Sequence, residues 1–380
     1  MSSAIRYCVL ILLSALTFPS LALEAGEDFS TAPRTNDGKK WRIAYYEGGE
    51  YRDYQKSFKQ TIRGLMKLGW IDKADIPEQA GEQTKELWKW LTTNASSEYL
   101  DFVVDAHYSA AWNDKLRTKI VQELMERVST RQDIDLLIAM GTQAGKDFAN
   151  GNHNTPTMVL STSNALASGI IKSVEDSGFD HVHARVDPKR YDRQVRVFHE
   201  IVGFKTLGVA YEDSVNGRSY AAMDAIEKVA EERGFKIERC FTKTDIADTA
   251  EAEQTVTDCF KELAGKVDAV YVTVQQGVTT RTVPELVRVA NEHKIPTFSQ
   301  SGAEEVKEGF LVSMSRRDFK KLGEFHSETF AKVFNGANPN QLNQLYEEPP
   351  KIALNLKTAE AIGFDPPVVI LGAADEIFKQ

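Results

Sequence analysis

IDLLIAMGTQ, residues 134–143, and VDAVYVTVQQ, residues 267–276, are two apolar stretches of the same design. Each has an aspartate at its second position, then a run of apolar residues, and then a glutamine at its last position. A short apolar run between polar residues is typical of a strand that is buried on both faces, as strands of parallel sheets are. The chain therefore carries the same strand-and-loop unit in both of its halves.

Strand-like and helix-like segments alternate on either side of these two stretches. In the first half, strands are predicted at 41–46, 100–106, 134–140 and 157–161, and helices at 54–69, 115–128 and 144–150. In the second half, strands are predicted at 206–211, 236–241, 267–274 and 296–300, and helices at 219–235, 252–264 and 282–293. Regular alternation of this kind predicts an α/β fold of parallel sheets flanked by helices.

Other matches occur in the same order in both halves. Tyr46-Glu47 ends the first strand of one half, and Tyr211-Glu212 ends the first strand of the other. Gly69-Trp70 closes the first helix as Gly234-Phe235 does later. One such match would occur by chance, but several in one order indicate two similar lobes.

The first half has roughly 30 additional residues, near 71–99, that the second half lacks. This insertion includes Trp88, Trp90 and Tyr99. Large aromatic side chains bury much apolar area, so we interpret the three as packing for an added helix. The alternative is that they belong to a binding site.

The composition excludes several classes of protein. The chain has 380 residues, of which 42% are hydrophobic, so it can build about two or three packed units. Its net charge of -9 argues against a nucleic acid as partner. With 3 cysteines it is neither a disulfide scaffold nor a cysteine-rich metal module.

The first residues have the pattern of an export signal. Arg6 precedes an apolar run at 7–18, which is too short to span a bilayer, since that needs about 20 residues. Small residues near Ala22 predict cleavage there, so 1–22 is interpreted as a signal peptide. The polar segment 23–40 is predicted to be a flexible leader, and the mature protein to be soluble outside the cytoplasm.

Two cysteines remain after the signal peptide. Cys240 ends a predicted strand and Cys259 lies on the helix that follows it. Outside the reducing cytoplasm the two could form a disulfide. Two separate buried thiols are the alternative, because sequence does not supply the geometry of the side chains.

The candidate ligand site lies in the loops that follow the strands, because ligands of open parallel sheets bind beyond the carboxyl ends of the strands. Two facing lobes would enclose such a site in a cleft. The loops are rich in hydroxyl, amide and tyrosine side chains, which suit a small polar ligand. The candidates are Tyr46, Glu47, Thr142, Gln143, Ser161 and Ser163 in the first lobe, and Tyr211, Glu212, Gln275, Gln276, Ser299 and Ser301 in the second.

Catalytic and metal sites are less well supported by the sequence. The segment 141–146 has the wrong glycine spacing for a phosphate-binding loop. The segment 217–221 resembles a hydrolase elbow, but it begins six positions after the strand-ending Tyr211, and Ser219 is more simply a helix cap. His181 and His183 have no further ligands nearby to complete a zinc site. We therefore expect no enzyme activity, no cofactor and no metal.

The segments KIALNLKTAEAIGFDPP, 351–367, and ANEHKIPTFSQSGAEEVKEGFL, 290–311, resemble the substrate-binding proteins of ABC transporters, in the subfamily that includes tryptophan/tyrosine carriers. The similarity covers 41–378. It implies the type I periplasmic-binding fold, in which two Rossmann-like lobes joined by three crossovers close on a ligand. The crossovers would lie near 161–165, 313–316 and 341–346, which gives a first lobe of 41–162 and 316–342 and a second of 163–315 and 343–380.

The resemblance also implies partners and a location. The protein would be a periplasmic monomer that binds a small molecule and delivers it to an ABC permease in the inner membrane. A ligand-sensing module for a receptor kinase or chemoreceptor is the alternative. Family members that carry amino acids hold the ammonium group with an acidic residue of the second-lobe loops. Here the matching positions are neutral (Gln275, Gln276, Ser299, Gln300 and Ser301), so a neutral polar or aromatic ligand is an equal candidate unless Glu47 or Glu212 supplies a carboxylate.

Overall fold

The computed structural model describes residues 29–314, 319–347 and 351–379. The predicted signal peptide, with its cleavage site near Ala22, lies outside these residues. Within them, no helix is both long and apolar enough to cross a membrane.

The first lobe is built on a five-stranded parallel sheet with the order β2-β1-β3-β4-β5. Every residue of β3 and β4 is buried, as expected for strands with helices on both faces. The predicted stretch at 134–140 is therefore the centre of this sheet. The strands are β1 (Trp41–Glu47), β2 (Leu100–Ser109), β3 (Leu136–Met140), β4 (Thr157–Leu160) and β5 (Val182–Ala184).

The second lobe is built on a seven-stranded sheet with the order β12-β11-β10-β9-β8-β6-β7. All neighbouring strands are parallel except β10 and β11, which are antiparallel. The second apolar stretch supplies the interior strand β8, which lies between β9 and β6. The strands are β6 (Thr206–Tyr211), β7 (Lys236–Phe241), β8 (Ala269–Val272), β9 (Thr297–Ser299), β10 (Val312–Ser313), β11 (Ile352–Asn355) and β12 (Ala374–Phe378).

Helices cover both sheets, and the described residues confirm the predicted α/β architecture. The helices of the first lobe are α1 (Arg52–Lys67), α2 (Lys85–Asn94), α3 (Asp114–Glu126), α4 (Gly141–Phe148) and α11 (Phe319–Phe334). Those of the second lobe are α5 (Arg190–Val202), α6 (Val215–Ala221), α7 (Met223–Arg233), α8 (Thr249–Ala264), α9 (Val283–Glu292), α10 (Ala303–Glu308), α12 (Leu356–Ile362) and α13 (Val368–Ala373).

The helix predicted at 219–235 is divided into α6 and α7. Ala222 between them has a φ of 55°, in the left-handed region that a right-handed helix cannot contain. The side chain of Ser214 caps α6 by accepting a hydrogen bond from the backbone N–H of Gly217. Ser219 therefore lies inside α6, and its expected role as the cap is wrong.

The first lobe extends further along the chain than predicted. Strand β5 still pairs with β4, so the first crossing between lobes follows Ala184 and does not lie near 161–165. The boundary at 162 is therefore wrong, because a three-residue strand closes the edge of the first sheet. Residues 163–184 belong to the first lobe. The second crossing lies between Ser313 and Phe319, because β10 belongs to the second sheet and α11 packs on α1.

The first and third crossings run side by side. The backbone N–H of Val186 donates to the carbonyl of Gln344 at 2.8 Å, and the N–H of Tyr346 donates to the carbonyl of Val186 at 3.0 Å. These bonds form a parallel bridge between Val186 and Leu345. The hinge between the lobes therefore contains two hydrogen-bonded segments.

The aromatic residues of the insertion pack in the core, as predicted. Trp88 on α2 is buried against the rings of Phe58 and Phe102, and Trp90 and Tyr99 pack at the margin of the same cluster. Residues 29–40, which we expected to be flexible, lie against the first lobe. The carbonyl of Thr31, for example, accepts a hydrogen bond from the indole of Trp70 at 3.0 Å.

Cys240 and Cys259 form a disulfide bond, which was one of the two alternatives left open by the sequence. It joins β7, at the edge of the second sheet, to α8, which packs on that strand. Both sulfur-bearing residues are buried. The bond therefore fastens the edge strand to its covering helix.

Candidate functional site

A small cavity lies between the two lobes, at the carboxyl ends of both sheets. It holds about 40 Å³ of space for the centres of water molecules. We call it the cleft cavity. Its lining residues are Tyr51, Tyr54, Trp112, Thr142, Ser161 and Ser163 from the first lobe and Tyr220, Thr244, Asp245, Val274, Gln275 and Gln276 from the second.

The polar residues from the first lobe surround the start of α4. Thr142 lies in its first turn, and its hydroxyl is 3.0 Å from the hydroxyl of Thr162. Ser161 and Ser163 follow β4, and Ser161 has a φ of 55°. A helix N-terminus presents free backbone N–H groups with partial positive charge. Together with the hydroxyl groups they suit a carboxylate or another acceptor-rich group of a ligand.

The second lobe contributes an acidic group, Asp245. Its carboxylate accepts a hydrogen bond of 2.6 Å from the hydroxyl of Tyr220. Loss of solvent raises the pKa of Asp245 to about 6, although the bond from Tyr220 acts in the opposite direction. The carboxylate is ionised at neutral pH, and its ionised form gains from a cationic partner.

The amide of Gln276 holds the loop that carries Asp245. Its Oε1 accepts from the backbone N–H of Ile246 at 3.0 Å, and its Nε2 donates to the carbonyl of Ile246 at 2.8 Å. This pair of bonds fixes the backbone next to Asp245. Gln276 therefore both lines the cleft cavity and positions the acidic residue in it.

Aromatic rings form much of the remaining wall. Tyr51 and Tyr54 contact each other edge to face, with ring centroids 5.3 Å apart. The hydroxyl of Tyr54 lies so close to Gly141 that a Cβ at this position would be 1.8 Å from it. Glycine is thus required where α4 begins, both for this contact and for its φ of +88°. The wall thus combines flat aromatic surfaces with hydroxyl, amide and carboxylate groups that can orient a small ligand.

Five of the twelve predicted site residues line the cleft cavity. These residues come from both lobes, with the first group at the ends of β3 and β4 and the second group after β8. These five are Thr142, Ser161, Ser163, Gln275 and Gln276.

The two tyrosines expected to stack on the ligand are elsewhere. Tyr46 is fully buried and donates a hydrogen bond to Asp147 at 2.7 Å. Tyr211 is buried in the core of the second lobe, edge to face with Phe241. Both lie within strands whose two faces are covered, so their side chains point into the lobes and not into the cleft.

The two predicted carboxylates are bonded within their own lobes. Glu47 accepts hydrogen bonds from the hydroxyl of Tyr45 at 2.6 Å and from that of Thr84 at 2.9 Å. Burial raises the pKa of Glu47 to about 7. Glu212 accepts from the hydroxyl of Ser214 at 2.7 Å and from the backbone N–H of Thr244. Neither glutamate lines the cleft cavity.

The other three predicted residues also lie outside its lining. Ser299 donates a hydrogen bond to Glu305 at 2.7 Å. Ser301 lines a separate cavity beside α10. Gln143 is buried, and its Oε1 lies against Gly48 without a hydrogen-bond partner among the described residues.

The sequence could have identified Asp245, which follows β7 as Gln275 follows β8. The rule that ligands bind in the loops after parallel strands, applied to every strand, would have included the loop after β7. The rule does not identify the aromatic residues of the wall, because each lies in or near the helix that follows a strand. These residues are Tyr51, Tyr54, Trp112 and Tyr220. Among the described residues, no group of three or more histidine, cysteine or acidic side chains is placed to hold a metal ion.

Charged side chains also join the lobes beside the cleft. Arg52 on α1 of the first lobe donates to the carboxylate of Glu305 on α10 of the second at 3.2 Å. Lys56, one turn later, is 2.6 Å from the carboxylate of Glu304. The side chain of Glu305 is only 2% exposed, and desolvation raises its pKa. Arg52 therefore compensates a buried charge only while the lobes are in contact.

Replacing Arg52 with alanine is expected to open the lobes of the ligand-free protein. The change would leave the Glu305 carboxylate buried without its cation, which is unfavourable. The measurement is the radius of gyration by small-angle scattering, which should increase. Lys67→Ala is the matched control, because Lys67 also lies on α1 but pairs with Glu324 of the same lobe. Equal radii for the two variants would contradict this role of Arg52.

This chain has the type I periplasmic-binding fold, in which two α/β lobes joined by three crossings enclose a cavity at the carboxyl ends of their strands. Its sequence gives the narrower assignment. Residues 105–378 match the model of the ABC transporter substrate-binding protein family, and the chain belongs to that family. No curated protein matches the chain in sequence.

Solved structures share the fold at low sequence identity. A conserved domain protein from Vibrio cholerae is 18% identical, with a TM-score of 0.67, over 89% of this chain and 100% of that one. An ABC domain from Streptococcus pneumoniae in complex with L-Trp is 17% identical, with a TM-score of 0.66, over 90% and 100%. The ligand-free, open form of a substrate-binding protein with adhesive properties from Clostridium difficile is 19% identical, with a TM-score of 0.55, over 90% and 100%.

Proposed function

We propose that this protein is an exported, periplasmic carrier that binds an aromatic amino acid, or a close analogue, and delivers it to the permease of an ABC transporter. It acts by binding and not by catalysis. The observation that carries the proposal is the position of Asp245 in the second-lobe wall of a cavity whose first-lobe wall has the start of α4 and three hydroxyl side chains. An acidic group and an acceptor-binding group on opposite walls match the two charged ends of an amino acid.

The ligand's ammonium group is assigned to Asp245. The positions after β8 and β9 are neutral, which on sequence alone made a neutral ligand an equal candidate. Asp245 supplies the missing charge from the loop after β7. A charged hydrogen bond in a site with little water is roughly twice as strong as a neutral one.

The ligand's carboxylate is assigned to the first lobe. Thr142, Ser161 and Ser163 offer hydroxyl donors, and the first turn of α4 offers backbone N–H groups. An L-Trp complex of a structurally similar protein supports a ligand of this class. Because each end of the ligand contacts a different lobe, binding would favour the closed arrangement.

Aromatic amino acids are expected to raise the thermal stability of the protein. A ligand present at 100 times its Kd stabilises the folded state by about 2.7 kcal/mol. The measurement is the melting temperature with L-tryptophan, L-tyrosine and L-phenylalanine, followed by calorimetry. Indole-3-propionate, which keeps the ring and the carboxylate but lacks the ammonium group, is the matched control and should give little shift. Equal shifts with the control would contradict the role of Asp245.

A further inference from the structure

The indole ring of Trp112 lies between the cleft cavity and a wider space outside it. The outer space holds about 490 Å³ for the centres of water molecules, and we call it the mouth. The insertion contributes Glu82 to the mouth, and the second lobe contributes Arg281. Trp112, Tyr51 and Gln276 line both spaces. Any ligand that passes from the mouth to the cleft cavity therefore meets the ring of Trp112.

One face of this ring rests on the backbone of two glycines. A Cβ at Gly49 would lie 2.5 to 2.6 Å from Nε1, Cδ1 and Cδ2 of Trp112. Three atoms of the five-membered ring at nearly equal distances mean that its face, and not its edge, covers Gly49. A Cβ at Gly48 would be 3.0 Å from Cζ3, in the six-membered ring. The indole thus lies flat along Gly48-Gly49, which no other residue type would allow.

The backbone around Trp112 is held in an unusual conformation. Ala111 and Trp112 have φ values of 48° and 54°, in the left-handed region that is unfavourable for bulky residues. The backbone N–H of Trp112 donates to the carbonyl of Gly48 at 2.8 Å, and its indole N–H donates to the carbonyl of Glu50 at 3.2 Å. Two successive residues in this region indicate that the position of the ring is maintained at a cost in stability.

We propose that Trp112 selects ligands with a planar ring, and that Gly48 and Gly49 position it for this purpose. One face of the Trp112 ring is covered by glycine backbone. Its other face and its edge line the cleft cavity and the mouth. A flat ligand ring can stack there while its charged end lies in the cleft cavity. This inference rests on the proposed function and adds to it the group that distinguishes aromatic from aliphatic amino acids.

The test compares the affinities of L-tryptophan and L-leucine by calorimetry. Trp112→Ala is expected to lower the affinity for L-tryptophan by roughly 5- to 150-fold, the range for loss of one aromatic stacking contact. The affinity for L-leucine should change less than threefold, which a general structural defect would not allow. Trp112→Phe should keep most of the preference, because it retains a flat ring.

Gly49→Ala tests the positioning role without changing the tryptophan. It should lower the ratio of the two affinities as Trp112→Ala does, because the added Cβ displaces the ring. Gly151→Ala is the control, since a Cβ there has no atom within 4 Å and its φ is not left-handed. If Gly49→Ala does not fold, the two Trp112 variants decide the question.

The outcomes separate this inference from the proposed function. If the unaltered protein binds L-tryptophan and Trp112→Ala keeps the same preference over L-leucine, the role of Trp112 is wrong and the proposed function stands. If the unaltered protein binds L-leucine as tightly as L-tryptophan, the proposed selection of ligands with a planar ring is also wrong. If it binds no amino acid, the proposed function is wrong and this inference with it.

Discussion

The variant Asp245→Asn is expected to lose tight ligand binding and yet to unfold less readily than the unaltered protein above pH 6. Truncating one partner of a buried, hydrogen-bonded charge pair costs about 2–5 kcal/mol, or roughly 30- to 5000-fold in affinity. The measurement is calorimetry with L-tryptophan at neutral pH. The matched control is Asp213→Asn, because Asp213 is an exposed aspartate of a neighbouring loop. Binding by Asp245→Asn as tight as by the control would exclude an ammonium contact.

The gain in stability follows from the pKa of Asp245. Desolvation raises it from the ordinary value of 3.8 to about 6, so between these values the folded protein retains a proton that the unfolded chain releases. The contribution of this group to the free energy of unfolding is therefore largest below pH 3.8 and falls as the pH rises through about 6. At pH 8 the loss is on the order of 3 kcal/mol, because each unit of pKa difference corresponds to about 1.4 kcal/mol. Urea denaturation at pH 5 and pH 8 should show that Asp245→Asn lacks this part of the pH dependence.

Replacing both Cys240 and Cys259 with alanine is expected to lower the free energy of unfolding by about 3 kcal/mol. The disulfide closes a loop with a sequence separation of 19, and opening it restores conformational entropy to the unfolded chain. The measurement is urea denaturation with and without a reductant. The reductant should lower the stability of the unaltered protein to that of the double variant and leave the double variant unchanged. A difference below about 1 kcal/mol would contradict the prediction.

Ligand affinity should change less than threefold in this double variant. The loop with Asp245 begins after Phe241, close to Cys240, but its position is fixed by other contacts. Tyr220 donates to the carboxylate and Gln276 bonds to the backbone of Ile246. The disulfide thus stabilises the second lobe without forming the site.

The fold could be predicted largely because its strands are short, apolar and regularly spaced. KIERCF, for example, forms β7 over the residues predicted. Two examples show where prediction failed. The left-handed Ala222 divides a helix, although alanine is a strong helix former. Strand β5 has only 3 residues, too few for any periodicity to indicate.

The lining of the cleft cavity, our candidate site, was predicted only in part, because side-chain direction and tertiary packing are not visible in the sequence. The rule of strand ends located Thr142 and Gln275, because it depends on topology alone. It failed for Tyr46 and Tyr211, whose strands are covered on both faces. It failed for Glu47 because Thr84, from the insertion, reaches this carboxylate across the fold. No sequence pattern within the loop itself could indicate that contact.

The bridge between Val186 and Leu345 has a pharmacological consequence. Because two of the three crossings are hydrogen-bonded to each other, the lobes are expected to turn about one axis and not to bend independently. Consider a compound that has the ammonium group of the proposed ligand but a larger ring. It would bind Asp245 of the second lobe, and its ring would stop the rotation before the lobes are fully closed. Under the proposed function, such a compound would act as an antagonist of uptake, since it would hold the protein in a partly closed shape.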